Sequence, residues 1–300
     1  MSADRVTLLS PAKVNLFLEV GERRADGYHD VVTVLQALDE RASDTLDMSV
    51  AEGLSVGCMP DIGVPQEENL VTRALVRLGE AVGRTPSFAV AVHKRIPAAG
   101  GLGGASSNAA AALVGACMLW DIEPTSAVVL DVARSLGADV PFFIEGGCAL
   151  YAERGDVLLS RLPTPALPIV LINPGEPVST AAAYAMFDRR LHAATRSATD
   201  MVAALRSGDV VAIAGELKNN LGEVAAEIAP SMSEALAYLR GADGVLGALV
   251  AGSGSTVFGV CESDAVACRV ADDAAPHEGW WVVATGTSPF GVRSKAVDGG

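Results

Sequence analysis

The sequence predicts an α/β (α+β) protein of two domains. Its 300 residues are 50% apolar, enough for a sizeable core, and this length suits two domains better than one. Helix-type and strand-type periodicities are mixed along the whole chain. The segment LPTPALP (162–168) carries three prolines in seven residues. We therefore place the boundary there and predict an N-terminal domain over residues 1–162 and a C-terminal domain over residues 163–300.

The charge balance and the apolar pattern limit the possible partners. The net charge of −14 argues against nucleic acid, whose binding depends on clustered Lys and Arg. The N-terminus lacks a basic segment followed by an apolar one, and no run of ~18 apolar residues occurs, so we expect no membrane partner and a cytoplasmic protein. The five cysteines form no CxxC pair and are expected to be small buried apolar side chains in a reducing compartment.

Strand and turn patterns dominate the first forty residues. Alternating apolar residues over 6–20 predict two short strands broken at Pro11, and RRADGYHD (23–30) predicts a loop that turns at Asp26 and Gly27. Apolar residues at helical spacing then predict a helix over 70–82, and SFAVAVHKRI (87–96) alternates as a strand does.

Further helices and strands are predicted on both sides of the proline-rich segment. They comprise a helix over about 107–120, a helix around 125–136 that ends at Gly137, and a strand entered through ADVPFFI (138–144). In the second domain, 169–174 and 279–288 predict strands, 179–206 and 223–239 predict helices, and 246–261 predicts two strands joined by a tight loop.

A glycine-rich loop lies between a strand and a helix in IPAAGGLGGASSNAAAAL (96–113). Bare backbone lets a ligand approach closely, its N–H groups can point inward, and the helix dipole favours negative charge, so the loop predicts a phosphate site. Ser106 and Ser107 are placed to cap the helix and to offer hydroxyls to a phosphate or to Mg²⁺. The alternative is that the glycines only allow the helix to pack on the sheet.

Other phosphate-loop and nucleophile classes fit the sequence less well. A Walker A loop is excluded, because no lysine in the chain follows a glycine. A dinucleotide-binding loop needs GxGxxG, whereas the run from Gly101 is GLGGAS, and Asp121 directly follows the helix instead of ending a second strand. A serine hydrolase would need GxSxG, which neither GGASS nor AGSGS supplies.

The loop from Pro97 to Ala109 resembles the second motif of the GHMP kinases, PxxxGLGGxSSNA. Two further segments resemble one branch of that family: PAKVNL, with Lys13 and Asn15, followed by RRADGYH, with Tyr28 and His29. GADVPFF resembles the motif that carries the family's catalytic aspartate, here Asp139, and VAGSGSTVFG (250–259) resembles its third motif. Taken alone, each of these could be an ordinary strand face, turn or hairpin, but together and in order they extend over nearly the whole chain.

This resemblance implies a fold, a reaction and two ligands. The fold would be an ATP-binding N-terminal domain with a ribosomal-protein-S5-like βαβ part, a ferredoxin-like α+β C-terminal domain, and an active site in the cleft between them. The enzyme would be a small-molecule kinase that uses ATP and Mg²⁺ to phosphorylate the 2-hydroxyl of a cytidine diphosphate derivative of methylerythritol, in the non-mevalonate route to isoprenoid precursors. The alternatives are a mevalonate-type or sugar kinase of the same family, a non-catalytic nucleotide-binding protein, and an oxidoreductase. We expect a monomer or a weak homodimer.

The resemblance also assigns roles to residues. Asp139 would be the base and Lys13 its cationic partner. The residues expected to bind ATP are Pro97, Ala98, Ala99, Gly100, Gly101, Leu102, Gly103, Gly104, Ala105, Ser106 and Ser107 around its phosphates, and Asn69 and Lys94 around adenine. The residues expected to bind the substrate are Asn15, Tyr28, His29, Thr180 and Tyr184, with the two tyrosines beside the cytosine ring and His29 at its polar edge. The grouping of Lys13, Arg23, Arg24, Lys94 and Arg95 predicts a locally positive cleft.

Overall fold

The computed structural model describes residues 4–189 and 197–295. The strands are β1 (Arg5–Pro11), β2 (Lys13–Arg23), β3 (His29–Ala37), β4 (Ser43–Val50), β5 (Ser55–Met59), β6 (Phe88–His93), β7 (Cys148–Ala152), β8 (Val157–Leu162), β9 (Pro168–Asn173), β10 (Lys218–Asn219), β11 (Val245–Val250), β12 (Val257–Cys261), β13 (Trp281–Gly286) and β14 (Arg293–Ser294). The helices are α1 (Leu70–Val82), α2 (Gly104–Trp120), α3 (Ala127–Leu136), α4 (Val140–Glu145), α5 (Thr180–Phe187), α6 (Thr199–Ser207), α7 (Val210–Gly215), α8 (Asn220–Ile228), α9 (Pro230–Gly241) and α10 (Asp264–Ala274).

The strands form three sheets, in the orders β14-β1-β4-β6-β5, β10-β2-β3-β7-β8 and β11-β12-β9-β13. The third sheet is antiparallel throughout, and its strands and main helices follow the order β9, helices, β11, β12, α10, β13. This is the βαββαβ connectivity of a ferredoxin-like domain. The mixed α/β fold class and the ferredoxin-like C-terminal part are therefore confirmed.

Three apolar clusters hold these layers together. The first lies between the first sheet and the helices α1 to α4. The third sheet is buried on both faces, because Ile169 and Leu171 point into the second cluster while Val170 and Ile172 point into the third. The second cluster also takes in Leu16 from β2, so residues from both predicted domains share one core.

Helix α2 is buried along most of its length and presents its first turn to the loop that precedes it. Residues 107–117 are all buried, as expected for a helix that is apolar all round. The helix begins at Gly104, three residues before the predicted start, and Gly103 is the N-cap residue. The predicted capping by Ser106 or Ser107 is therefore wrong: both lie inside the first turn.

Most predicted elements are present with nearly the predicted bounds, and one segment before a predicted strand has an unexpected form. The segment ADVPFFI is expected to lead directly into a strand, but the chain from Val140 to Glu145 is helix α4. Pro141 lies in the first turn of that helix, where a missing N–H costs nothing and its fixed φ suits the helix. The strand follows only at Cys148.

Two other sequence-based expectations need adjustment. Three of the five cysteines are buried, but Cys58 is half-buried and Cys268 is exposed, so the expectation of uniform burial is wrong for those two. The helical segments predicted over 179–206 and 223–239 are each divided, the first into α5 and α6 and the second into α8 and α9 at the extended residue Ala229, and the part over 190–196 lies outside the described residues. None of the helices in the described ranges is long and apolar enough to cross a bilayer.

The division of the chain at residue 162 stays a prediction, and two contacts bear on it. Strand β10 pairs in parallel with β2, and β14 pairs with β1, so segments from the C-terminal half complete both N-terminal sheets. Asp39 also contacts the C-terminal half of the chain, since its carboxylate accepts hydrogen bonds from the Thr285 hydroxyl at 2.8 Å and the Gly286 N–H at 2.9 Å. The two halves are tied together at several points.

Candidate active site

Two glycine loops meet beside the start of α2. The first glycine loop (residues 97–104) joins β6 to α2, and the second glycine loop (residues 251–256) joins β11 to β12 in the predicted hairpin. Between them the Thr256 N–H donates to the carbonyl of Gly100 at 3.1 Å. The chain thus brings together two motifs that lie 150 residues apart in sequence.

Positive φ angles give the first glycine loop its shape. Gly101 has φ of +77° and Gly103 has φ of +72°, a region that residues with a Cβ rarely occupy. A Cβ on Gly101 would overlap the carbonyl oxygen of Ala251, and one on Gly103 would lie 2.7 Å from the Phe143 ring. Glycine is therefore required at both positions by conformation and by close approach.

The loop leads into the N-terminus of a 17-residue helix, which is a favourable place for an anion. Four N–H groups at a helix start lack partners within the helix, and the helix dipole adds partial positive charge. Gly103 caps α2 with backbone alone, since it has no side chain to accept a hydrogen bond. The N–H groups of the first turn therefore stay available to a phosphate.

Lys13 and Asp139 lie next to this helix start. The Lys13 ammonium is 3.7 Å from the Asp139 carboxylate, and the Lys13 N–H donates to the carbonyl of Leu102 at 3.0 Å. The Lys13 side chain is 6% exposed, whereas that of Asp139 is 31% exposed. Lys13 is thus held under the first glycine loop, and the carboxylate of Asp139 opens to the cleft.

Asn15 holds the Lys13 ammonium from the other side. Its side-chain oxygen accepts a hydrogen bond from Lys13 Nζ at 2.7 Å, and its amide nitrogen donates to the Thr33 hydroxyl at 2.8 Å. A Cβ on Gly252 would lie within 3.6 Å of both Lys13 Nζ and the Asn15 oxygen. The second glycine loop therefore packs directly on the lysine, and Asn15, expected to contact substrate, uses its amide to fix Lys13.

A pocket of about 470 Å³ extends from the first glycine loop toward α1. Its volume lies within the range of about 300–1,000 Å³ typical of small-molecule sites. Of the thirteen residues expected to bind ATP, twelve line it: Pro97, Ala98, Ala99, Gly100, Gly101, Leu102, Gly103, Gly104, Ala105, Ser106, Asn69 and Lys94. Ser107 lies outside the lining: it is fully buried, and its hydroxyl accepts a hydrogen bond from Ser10 at 2.8 Å.

A buried carboxylate that sequence reasoning missed organises one wall of this pocket. Asp44 is fully buried, and its Oδ1 accepts from the N–H groups of Arg95 at 2.7 Å and Ile96 at 2.9 Å. Its Oδ2 accepts from Asn108 at 2.9 Å and from the ammonium of Lys94. No short motif marks Asp44, because every partner lies at least 50 residues away.

Helix α5 covers His29 at the start of β3. The His29 Nε2 atom is 2.6 Å from the Asp188 carboxylate. The Tyr184 ring lies 5.0 Å from the imidazole at a tilt of 31°, and the Phe187 ring meets it edge-on at 6.0 Å. Burial raises the pKa of Tyr184, and the charge of Asp139 raises it further. The predicted residues His29 and Tyr184 therefore lie together, close to the Lys13–Asp139 pair.

The remaining predicted substrate residues lie at the edge of the same region. Tyr28 is 57% exposed, and the Arg154 guanidinium lies 5.2 Å from the centre of its ring. The Thr180 hydroxyl is 2.9 Å from that of Ser253, which ties the first residue of α5 to the second glycine loop. Tyr28 thus has a face available for a flat ligand, while Thr180 joins two walls of the cleft.

Four of the five grouped basic residues lie beside carboxylates, the exception among the described residues being the exposed Arg95, so the positive cleft is weaker than predicted. Lys94 pairs with Asp44, and Arg24 pairs with Asp26 at 3.5 Å, Asp30 at 3.3 Å and Glu153 at 3.0 Å. Arg23 lies 3.9 Å from Asp188. Positive potential for an anion comes mainly from the helix start and Lys13.

No group of three or more His, Cys, Asp or Glu able to hold a metal ion occurs within residues 4–189 and 197–295. The cleft does contain oxygen donors suited to a hard cation, in the partly exposed Asp139 carboxylate and the Ser106 hydroxyl of the pocket lining. Mg²⁺ commonly binds through one or two protein oxygens together with substrate phosphates. The donor set therefore fits a magnesium ion that arrives with a nucleotide.

Sequence comparison identifies known relatives of this chain. The family models "GHMP kinases N terminal domain" and "GHMP kinases C terminal" match residues 69–147 and 201–275. The chain is 40% identical over 255 residues to a 4-diphosphocytidyl-2-C-methyl-D-erythritol kinase of Pelotomaculum thermopropionicum, covering 85% of this chain and 88% of that protein. It is also 40% identical to the enzyme of that name from Nocardia farcinica, over 90% of this chain and 89% of that one.

Solved structures agree. A crystal structure of 4-(cytidine 5'-diphospho)-2C-methyl-D-erythritol kinase superposes with a TM-score of 0.79 at 32% identity, covering 94% of this chain and all of that one. A homoserine kinase from Cytophaga hutchinsonii, at 20% identity and a TM-score of 0.77 over 98% of each chain, shares the fold. The predicted family and fold are confirmed: this chain belongs to the 4-diphosphocytidyl-2-C-methyl-D-erythritol kinases, a branch of the GHMP kinases.

Proposed function

We propose that this chain transfers the γ-phosphoryl group of ATP to the 2-hydroxyl of 4-diphosphocytidyl-2-C-methyl-D-erythritol and releases ADP. Its family membership supports the reaction, and the product would feed the non-mevalonate route to isoprenoid precursors. The observation that carries the mechanism is the position of Lys13 and Asp139, 3.7 Å apart, beside the start of α2. A base and a cation thus lie where a bound triphosphate would end.

The pocket beside α1 is the proposed nucleoside site. The adenine would lie against the apolar side chains that line the pocket, next to Asn69 and Lys94. The phosphates would follow the first glycine loop to the start of α2. Asn69 also has a structural role, because its side-chain oxygen accepts a hydrogen bond from the Val71 N–H at 3.0 Å and so caps α1. Lys94 is held by Asp44, so it offers a directed N–H donor with its charge already balanced.

Phosphoryl transfer needs a place for the proton of the acceptor hydroxyl. The hydroxyl oxygen forms a bond to the γ-phosphorus while the bond from that phosphorus to the β–γ bridging oxygen breaks, and ADP carries the electron pair away. Asp139 accepts the hydroxyl proton. Lys13, whose ammonium lies 3.7 Å from that carboxylate, stabilises the negative charge that develops on the transferring oxygens.

Magnesium would be held by the nucleotide phosphates with Ser106 and Asp139, and would neutralise phosphate charge. The chain's own contribution is to fix the two reacting groups. Lys13 is fixed at its backbone by Leu102 and at its ammonium by Asn15. Such pre-orientation is one of the two main sources of rate in phosphoryl transfer.

The aromatic site beside Asp139 is the proposed place for the cytosine ring. Tyr28 and Tyr184 offer ring faces for stacking, which any flat base would accept, so choice among bases has to come from His29. The second glycine loop connects this site to Lys13, because Ser253 contacts Thr180 at the start of α5 and Gly252 packs on the lysine, which suits a substrate that reaches from the aromatic site to the reacting groups.

The test is an ADP-release assay that compares the cytidine substrate with mevalonate, homoserine and galactose. We expect turnover of the cytidine compound alone. Turnover of another alcohol instead would overturn the substrate, and an ATP-binding protein without turnover would support a non-catalytic role. A parallel record of NAD(P)H absorbance should show no change, since an oxidoreductase would consume or form the reduced cofactor.

A further inference from the structure

The acidic partner of His29 has no part in the reaction described above. Asp188 lies one residue beyond the end of α5, and its Oδ1 is 2.6 Å from His29 Nε2. Tyr184, Phe187 and Asp188 occupy positions i, i+3 and i+4 of one helix face, so all three reach the same imidazole. The ring is held by one helix from its face, its edge and one nitrogen.

The contact with Asp188 determines which nitrogen of the imidazole carries the proton. His29 is 8% exposed, so its hydrogen-bonding groups need partners. A carboxylate only accepts, and the nitrogen that faces it must therefore carry a hydrogen. With the proton on Nε2, the other ring nitrogen of the neutral imidazole is an acceptor.

An acceptor at Nδ1 distinguishes cytosine from uracil. Cytosine carries an exocyclic amine, a donor, at the position where uracil carries a carbonyl oxygen, an acceptor. An Nδ1 lone pair can accept from the amine and would face the carbonyl of uracil without a hydrogen between them. Asp188 would therefore determine base selectivity without touching the base.

We propose that Asp188 is a positioning residue that fixes the Nε2–H tautomer of His29 and thereby selects cytidine over uridine substrates. This inference rests on the proposed function, since it concerns the base of that substrate. Among the described residues, the other neighbours of His29 and Asp188 do not contact an imidazole nitrogen. Arg23 lies 3.9 Å from the second Asp188 oxygen and acts on the carboxylate, and Tyr184 and Phe187 contact the imidazole through their rings.

The kinetic test compares Asp188→Ala, Asp188→Glu and Asp30→Ala with the wild-type enzyme. Asp30 is the matched control, because it is adjacent to His29 in sequence and carries the same charge, but it pairs with Arg24. For Asp188→Ala we expect the ratio of kcat/KM for the cytidine substrate to that for its uridine analogue to fall by about tenfold, with the KM for ATP unchanged. Asp30→Ala should keep the wild-type ratio, and Asp188→Glu should restore most of it.

A spectroscopic test reads the tautomer directly. Long-range ¹H–¹⁵N spectra of the full chain, with His29 assigned from a His29→Gln variant, should show a protonated Nε2 and an unprotonated Nδ1 in the wild type. The opposite tautomer would overturn the proposal even if Asp188→Ala fails to fold. So would a folded Asp188→Ala enzyme that keeps the wild-type base ratio. If the wild type turns over neither nucleotide, the proposed function fails, whereas the tautomer still tests the contact with Asp188.

Discussion

Lys13 and Asp139 differ in how far water reaches them, and this difference separates their roles. Lys13 is buried and held by Asn15, so it cannot turn away from the cleft, whereas Asp139 is about one-third exposed and free to meet a substrate hydroxyl. Asp139→Asn keeps the shape and removes the base. We expect kcat to fall by at least about a hundredfold, the low end of the range for loss of a general base.

The measurement for this pair is steady-state kinetics with both substrates, with thermal unfolding as the folding check. The matched control is Asp131→Asn, which removes an exposed carboxylate from its ion pair with Arg134 on α3. It should leave kcat at the wild-type level. A loss of less than about tenfold in Asp139→Asn, below the usual contribution of a general base, would remove Asp139 from that role.

Tyr28 provides a second prediction at the same scale. Its ring is largely exposed and has Arg154 on one side, so a base can stack on it without displacing core residues. Tyr28→Ala should raise the KM for the cytidine substrate by about threefold to tenfold, the worth of one aromatic stacking contact, and leave the KM for ATP unchanged.

The control is Tyr238→Ala, which removes an aromatic ring from a cluster with His277 and Trp280 in the C-terminal part. This variant should change neither KM. An equal rise of both KM values in Tyr28→Ala would show that Tyr28 lies in a different pocket from the one proposed.

Sequence motifs identified the residues that we propose to contact ligands, and they missed those that position them. Lys13, Asp139 and the first glycine loop each stand in a recognisable short segment. Asp44 and Asp188 do not, because Asp44 acts on residues 50 or more positions away and Asp188 acts on a histidine 159 positions away. Only the folded chain brings such pairs together, so no local pattern can reveal them.

At the scale of elements, the contact between the two glycine loops depends on Gly101. Its positive φ costs an L-residue about 1–2 kcal/mol, and a Cβ there would also overlap the Ala251 carbonyl. In Gly101→Ala the loops must separate, which moves the amides of the helix start. We expect the KM for ATP to rise by at least about tenfold, equivalent to ~1.4 kcal/mol.

The control variant Gly83→Ala separates the effect of backbone strain from the effect of losing the contact between the two glycine loops. It has a φ of +70°, close to that of Gly101, but a Cβ on it would meet no atom of the described chain within 4 Å. Gly83→Ala should therefore lower stability by a similar conformational cost and leave the KM for ATP unchanged. Equal kinetic effects in the two variants would mean that the loop contact does not shape the nucleotide site.

Asp39, which joins the N-terminal half of the chain to β13, should make the stability of the fold depend on pH. Burial alone would raise the pKa of Asp39, but the hydrogen bonds from Arg41 and Thr285 outweigh it and lower the pKa below its ordinary value of 3.8. A carboxyl whose folded pKa is lowered stabilises the fold above its unfolded pKa, and this stabilisation is lost as pH falls through the folded pKa.

Asp39→Asn should therefore lower the free energy of unfolding at pH 7, and the difference from wild type should shrink as pH falls below about 4. Urea unfolding of both proteins at pH 7, 5 and 3.5 measures this. Asp200→Asn, on the exposed first turn of α6, is the control. A difference that stays constant over these three pH values would contradict the assignment of the shift to the Asp39 hydrogen bonds.

Element types were predictable where periodicity was regular, as in α1 and β6. The short segment from Val140 to Glu145 was not, because four apolar residues around a proline fit a buried strand and a single helical turn equally well. Its helical form depends on packing: α4 contacts α2 and α3, and its phenylalanines fill the first cluster. That outcome decides where Asp139 points, and it could not be obtained from local pattern alone.

At the scale of the whole molecule, the candidate active site lies where the two halves of the chain share structure. The second apolar cluster takes Leu16 and Leu102 from the N-terminal half and Leu171 and Phe258 from the C-terminal half. The N-terminal sheets also gain β10 and β14 from beyond residue 162. A fragment of residues 1–162 would expose this cluster and two sheet edges to water.

We therefore expect residues 1–162, expressed alone, to lack a cooperative unfolding transition and a dispersed ¹H–¹⁵N spectrum. Co-expression with residues 163–300 should restore both, together with kinase activity, because the missing cluster and strands are then supplied in trans. This complementation distinguishes a missing interface from simple aggregation of the fragment. A fragment that folds cooperatively by itself would show that the first cluster, between the first sheet and α1 to α4, is sufficient for the N-terminal domain and that the shared core serves only to close the cleft.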